Sequence, residues 1–147
     1  MENNNYKGVT LIELITVLFI VSLMAAIIFP SFDIFGENKL KSEAREIGSI
    51  LKYLNESASS SKETFSIVFN FDEHLLIWNE KEGERKKKFE NISGVETQSN
   101  GLVNKGELTL FFPPTGIQQN IIVHLNKDDK NFIVSLNHLN GKIKIYN

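Results

Sequence analysis

The chain opens with a continuous apolar run, which later gives way to alternating patterns of two different periods. Residues 14–29 contain no charged side chain and only two hydroxyl groups, those of Thr16 and Ser22. As a helix, residues 9–29 would extend about 30 Å at ~1.5 Å per residue, which matches the hydrocarbon core of a bilayer. The run therefore predicts a transmembrane helix over residues 9–30, with Pro30 at its end.

The next apolar positions recur at alternating intervals of four and three residues, the period of one helix face. They are Leu40, Ala44, Ile47, Leu51, Leu54 and Ala58. This pattern predicts an amphipathic helix over about 39–57 that packs on a sheet, with a coiled coil as the alternative. Residues 31–38, with Gly36, suggest a bend or hinge, and the serine-rich stretch 57–62 suggests a loop.

From Phe65 the period changes to two, which is typical of half-buried strands. Phe65, Ile67, Phe69 and Phe71 would share one face, and the chain would return as a hairpin. Further strands are predicted at 75–78, 95–98, 108–112, 121–125, 132–136 and 142–146. The charge-dense residues 80–88 are predicted to form a loop that leaves the sheet. The predicted fold class is α+β, with a long N-terminal helix packed on one antiparallel sheet or two small ones.

A single carboxylate, Glu13, precedes the uncharged run. A charge at the edge of a helix apolar enough for a membrane is energetically costly, so such a residue usually has a partner and a function. A secretory signal peptide would have a more basic start and a small-residue cleavage site after a shorter apolar region. A plain signal-anchor helix explains the hydrophobicity of the run but leaves Glu13 without a role.

The remaining composition favours a structural protein over an enzyme. The chain has 147 residues, no cysteine and a net charge of −2, which gives no case for a thiolate site or for nucleic acid as a partner. Its three histidines have no metal-ligand spacing, and Asp128-Asp129 lacks the alternating oxygen ligands of a calcium loop. We therefore expect no catalytic residue, metal or cofactor.

Four consecutive basic residues, Arg85-Lys86-Lys87-Lys88, would suit phosphate contact in a DNA-uptake protein. Acidic residues flank the run on both sides and largely cancel its field; they are Glu80, Glu82, Glu84 and Glu90. A solvated loop is therefore the preferred interpretation of this segment.

The segment Gly8-Val9-Thr10-Leu11-Ile12-Glu13 resembles the processing site of the type IV pilin superfamily. The resemblance implies that prepilin peptidase removes a leader, residues 1–8, and that Val9 becomes the N-methylated first residue. It places Glu13 at the fifth mature position and Pro30 where many members bend their helix. Glu13 would then neutralise the amine of its own chain or of a neighbour, which would fix the register of assembly.

The C-terminal half resembles the minor pseudopilin H group of type II secretion systems, which shares a domain with the minor fimbrial T/U proteins. The comparison rests on the step from the helix through Ala58 to Phe65, on Phe112-Pro113-Pro114-Thr115-Gly116, and on a closing hairpin through Asn140-Gly141. It implies a single-pass inner-membrane protein with a periplasmic domain, residues 31–147. Other pseudopilins, prepilin peptidase, an inner-membrane assembly platform and the lipid bilayer would be its partners. A competence or type IV minor pilin, or a signal-anchored binding module, is the alternative.

Overall fold

The computed structural model describes residues 10–28 and 31–147, which form two helices followed by nine strands. Helix α1 is Leu11–Ile28 and helix α2 is Ser31–Ser61. By backbone contacts the chain divides into two units, the second of which is Glu37–Asn147 and contains all of the strands.

The strands form two sheets in which every pair is antiparallel. The first sheet has the order β3-β2-β1-β6 and the second has the order β5-β4-β7-β8-β9. The strands are β1 (Phe65–Asn70), β2 (Leu75–Glu80), β3 (Gly83–Lys88), β4 (Ile92–Thr97), β5 (Gly101–Val103), β6 (Glu107–Phe112), β7 (Ile121–Lys127), β8 (Lys130–Leu136) and β9 (Ile143–Tyr146). The α+β class is confirmed, in its two-sheet form.

One face of α2 forms the helical side of the hydrophobic core. The six positions predicted from the apolar period, Leu40, Ala44, Ile47, Leu51, Leu54 and Ala58, are all fully buried. They cluster with inward-facing residues of both sheets, including Ile67 and Phe69 of β1 and Val134 of β8. The helix therefore packs on its own sheets, and the coiled-coil alternative is not the arrangement seen in this unit.

Helix α2 is longer at both ends than the predicted range of about 39–57. The bend expected within 31–38 is wrong, since α2 begins at Ser31 and continues through that stretch. An internal glycine such as Gly36 costs only about 1 kcal/mol in a helix. The loop expected over 57–62 is also wrong. Ser59 Oγ and Ser61 Oγ donate to the carbonyls of Asn55 and Ser57, at 3.0 and 2.8 Å. The helix ends only at Ser61, and Lys62 follows it with a φ of +59°.

Two sheet predictions also need correction. Residues 80–88 do not form a loop, because 83–88 pair with β2 as the edge strand β3. Its side chains are all exposed, so β3 has none of the apolar alternation by which strands are recognised. Strand β5 is not predicted at all, because it has only three residues.

The hairpins are close to their predicted positions. β1 pairs with β2 across a turn that includes Asp72 and His74, and His74 adopts a φ of +52°. Asn140-Gly141 joins β8 to β9, with Gly141 at a φ of +62° that favours glycine. β7 and β8 extend into the loop expected at 126–131 and leave a two-residue turn, Asp128-Asp129.

Candidate assembly site

Thr10 caps the N-terminus of α1. The Glu13 backbone N–H donates to the Thr10 hydroxyl at 3.3 Å and to the Thr10 carbonyl at 3.0 Å. Thr10-Leu11-Ile12-Glu13 has the spacing of a capping box, in which a threonine cap is followed three residues later by Glu or Gln. Sequence reasoning missed this role of Thr10, although the Thr-x-x-Glu spacing was the available signal.

The Glu13 carboxylate occupies the first turn of α1, where the positive end of the helix dipole favours an anion. It is exposed, and within the described residues no hydrogen bond or ion pair is formed by its oxygens. Gly8, Val9 and Pro30, which carry the predicted cleavage, methylation and helix bend, lie outside the described residues. The roles of all four residues therefore stay predictions.

Beyond Glu13, the surface of α1 is apolar on every side as far as Met24, apart from two hydroxyls. From Leu11 to Met24 all of its large hydrophobic side chains are exposed, each by 47–76%. The two hydroxyls are satisfied internally, since Thr16 Oγ1 donates to the Ile12 carbonyl and Ser22 Oγ to the Leu18 carbonyl, both at 2.8 Å. A helix that is apolar all round and has no unsatisfied hydroxyl suits an apolar environment, either lipid or other helices.

None of the helices, as far as the structure describes them, is both long and apolar enough to cross a membrane.

In the second unit a row of polar contacts joins α2 to the end of β3 and to the segment between β3 and β4. Lys39 Nζ lies 2.9 Å from Glu90 Oε2, Asn91 Nδ2 donates to Glu43 Oε2 at 2.9 Å, and Lys87 Nζ pairs with Glu46. The helical members, Lys39, Glu43 and Glu46, recur at helical spacing beside the buried stripe. We call this row the polar seam.

The Lys39–Glu90 pair shifts the pKa of both of its side chains. The hydrogen bond from Lys39, and then its charge, hold the pKa of Glu90 below its usual value. The same bond and the charge of Glu90 raise the pKa of Lys39. Both side chains are more than half exposed, so this pair orients the segment more than it stabilises the fold.

The other candidate groups for chemistry lie apart from one another. His74 is in the β1–β2 turn, His124 is 3.3 Å from Glu96 on the second sheet, and His138 follows β8. Within residues 10–28 and 31–147, no three His, Asp or Glu side chains are grouped so that they could hold a metal ion. The hydroxyls of Ser59 and Ser61 are hydrogen-bonded to the carbonyls of α2.

Two of the four basic side chains on β3 are paired with acids. Arg85 lies 3.2 Å from Glu80 and 4.0 Å from Glu82, and Lys87 joins the polar seam. Lys86 and Lys88 lie opposite Ile77 and Leu75 in the register, which puts them on the outward face of the first sheet.

Comparison with protein families identifies one N-terminal motif. Residues 3–29 match the prokaryotic N-terminal methylation motif. This match supports the type IV pilin-like superfamily predicted from the sequence, and it covers Gly8, Val9 and Glu13. It does not distinguish the subclass.

Among solved structures, the chain is similar to the type IV minor pilin FimU of Pseudomonas aeruginosa in two crystal forms. In the first form the TM-score is 0.47 at 20% identity, over 76% of this chain and 90% of FimU. In the second the TM-score is 0.44 at 18% identity, over 73% and 92% of the two chains. No curated protein matches the chain.

Proposed function

We propose that this protein is a minor pseudopilin, a structural subunit of a type II secretion pseudopilus that helps to move folded proteins across the outer membrane. It is made as a precursor, cut after Gly8 by prepilin peptidase and N-methylated on Val9. The observation that supports the proposal most is the methylation motif matched over residues 3–29, which includes both sides of the proposed cut. The all-round apolar surface of α1 supports membrane anchoring through residues 9–29.

Glu13 would fix the register of assembly. Cleavage leaves a charged amine on Val9 in an apolar medium, where an unpaired charge is expensive. Glu13 is about one helical turn away in sequence, and its carboxylate has no partner in the described part of the chain. In a filament of parallel helices it can therefore pair with the amine of its own chain or of a neighbour, which aligns the two subunits.

The subclass rests on the resemblance of the C-terminal half to the pseudopilin H group. In this proposal the protein is a single-pass inner-membrane subunit whose second unit lies in the periplasm. It contacts other pseudopilins, the inner-membrane assembly platform and the lipid bilayer. The assembly would be driven by other proteins.

A competence or type IV minor pilin, serving DNA uptake or pilus initiation, is the second candidate. It is favoured by Lys86 and Lys88, which share the outward face of β3 and have no acidic partner among the described residues. Two separated cations are a small footprint for DNA, because a usable one needs a net basic face. A signal-anchored binding module needs no filament, and it would tolerate an apolar residue at position 13.

The first test is the intact mass of the membrane-extracted protein from hosts with and without an active prepilin peptidase. We expect the loss of residues 1–8 and the gain of one methyl group only where the peptidase is present. The Gly8→Leu variant is the control and should keep its full-length mass in both hosts. A full-length mass of the unaltered chain in both hosts would contradict the proposal and favour a signal-anchored domain.

The subclass is tested separately by deleting the gene in its own host. Retention of normally secreted proteins, with transformation unaffected, is the result expected for a pseudopilin. Loss of DNA uptake with normal secretion would favour the competence alternative.

A further inference from the structure

The four outer strands of the two sheets differ in how their open edges are protected. β3 has three consecutive lysines, Lys86, Lys87 and Lys88, and β5 has only three residues. β9 has Lys144 within it. Lysines and short strands are the usual means by which proteins prevent unwanted pairing at a sheet edge.

β6 is the exception among these edges. It pairs with β1 on one side only, and its six residues, Glu107–Phe112, contain neither lysine nor proline. Its one charged residue, Glu107, lies at the start of the strand and accepts a hydrogen bond from Asn70 at 2.7 Å. The rest of this edge therefore lacks the protection that the other three possess.

A groove of about 630 Å³ runs beside this edge. Thr109, Leu110 and Phe111, three consecutive residues of β6, line one side, so the strand backbone itself borders the groove. The remaining lining is formed by the β4–β5 turn and residues 117–119, together with Pro113, which directly follows β6, and Ile121. It is held in place by Ser99, whose N–H and hydroxyl both donate to Gln119 Oε1, at 2.9 and 2.6 Å.

The described lining of the groove is entirely uncharged, in a chain of which 23% is charged. Phe111 provides its largest apolar surface and is 65% exposed. Gln98 and Gln118 also line it, and neither side-chain amide is hydrogen-bonded within the described part of the protein. These side chains offer apolar contact and neutral hydrogen bonds, with no group that would compensate a buried charge.

We infer that the β6 edge and its groove bind one extended, uncharged segment of a partner protein, which adds to the first sheet as a fifth strand. In strand addition the backbone supplies the hydrogen bonds and alternate side chains supply the specificity. β6 of a second copy would bring its charged Glu107 to this uncharged groove, which argues against pairing between two copies of the chain. A strand as long as β6 is about 20 Å long, which sets the segment at about six residues. This inference goes beyond the filament role and does not depend on it.

The probe is a blocked hexapeptide of alternating threonine and valine, added at millimolar concentration to the full chain in detergent micelles. The protein is labelled with ¹⁵N-phenylalanine, so that the amides of Phe111 and Phe112 report directly on β6. We expect both amide resonances to shift on binding. Hydrogen exchange should slow at the one of the two N–H groups that faces the open edge, because the other already faces β1 in the antiparallel ladder. A second peptide with lysine in place of threonine should bind at least about tenfold more weakly, because the groove cannot compensate its charges.

Two variants distinguish binding at the groove from non-specific binding elsewhere on the protein. Both substitutions remove the label at position 111, so binding is followed at the Phe112 amide. Phe111→Lys should abolish its shift, and Phe111→Thr, which keeps the strand uncharged, should weaken binding without affecting the fold. The matched control is Leu139→Lys, which makes the same kind of change at a residue that is 82% exposed in the β8–β9 turn, and it should bind like the unaltered chain.

The inference is overturned if β6 amides do not respond to the uncharged peptide, or if both peptides bind equally well. Equal binding by Phe111→Lys would also overturn it. A linear neutral saccharide, maltohexaose, is the last comparison. Shifts at Phe111 with the saccharide but not with the peptide would assign the groove to a carbohydrate and exclude strand addition.

Discussion

Gly48 of α2 faces Ile143 of β9 so closely that a Cβ added at Gly48 would lie 3.1 Å from Ile143 Cγ2. The same Cβ would lie 3.6 Å from Val134 Cγ1 of β8. The missing side chain thus lets the middle of the helix approach the edge of the second sheet. The contact can relax on the side of the sheet, because Ile143 lies on an outer strand and is only partly buried.

Substitutions at Gly48 should separate helix propensity from packing. Gly48→Ala should change the free energy of unfolding by less than about 1 kcal/mol, because the gain in helix propensity offsets the close contact. Gly48→Leu should destabilise the protein by about 1–3 kcal/mol through overpacking. Chemical denaturation measures both. Adding Ile143→Ala to Gly48→Leu should restore part of the loss, and an unchanged loss would place the strain elsewhere.

The role of Glu13 can be divided into capping and charge. Glu13→Gln keeps a residue suited to a capping box but removes the charge, whereas Glu13→Leu removes both. If the carboxylate pairs with a terminal amine, both variants should insert into the membrane normally and fail to enter filaments. Co-sedimentation with partner subunits measures this. Thr10→Val is the control, since it removes the cap but not the charge, and it should still assemble. Normal assembly of Glu13→Gln would exclude the ion pair.

The Lys39–Glu90 pair of the polar seam predicts a measurable change in the pKa of Glu90 when Lys39 is replaced. Because Lys39 holds the pKa of Glu90 below its usual value, Lys39→Met should return that pKa to the ordinary range of a glutamate. Carbon-detected NMR titration of Glu90 measures the shift. A depressed pKa means that the pair stabilises the fold above the ordinary glutamate pKa and loses this effect as pH falls through the folded value. An unshifted Glu90 in the unaltered protein would show that the pair does not form in solution.

Adjacent lysines on β3 should differ in their effect on stability. Lys87 pairs with Glu46, and its Nζ lies 5.6 Å from the centre of the Phe89 ring, whereas Lys86 has neither contact. Lys87→Ala should therefore cost about 1 kcal/mol, and Lys86→Ala close to nothing. Thermal unfolding of the two variants under identical salt conditions makes the comparison. Equal losses would mean that β3 contributes through its backbone alone.

The sequence predicted the elements whose apolar residues repeat with a clear period. The stripe from Leu40 to Ala58 is buried at every expected position, and the alternation at Phe65, Ile67 and Phe69 marks β1. Two of the errors share a physical cause. α2 continues to Ser61 and β3 forms a strand through backbone hydrogen bonds, which leave no hydrophobic pattern in the sequence.

The candidate assembly site was only partly accessible from the sequence. Glu13 stood out because a charge precedes an uncharged run, whereas the cap that Thr10 forms was not predicted. The groove beside β6 was not predictable either, because it depends on residues 98–100 and 117–119 meeting β6 in three dimensions. Periodicity along one element contains no information about which loops lie beside it.

A shortened chain should test whether the second unit folds by itself. Residues 37–147 retain the whole buried stripe of α2, which begins at Leu40, together with both sheets. We therefore expect a monodisperse protein with a cooperative unfolding transition, measured by size-exclusion chromatography and circular dichroism. A chain that starts at Ile47 is the matched control. It loses Leu40 and Ala44, both fully buried, and should unfold or aggregate because the sheets beneath are uncovered. If the 37–147 chain also aggregates while keeping its helical signal, the stripe on α2 needs residues before Glu37 to complete the core.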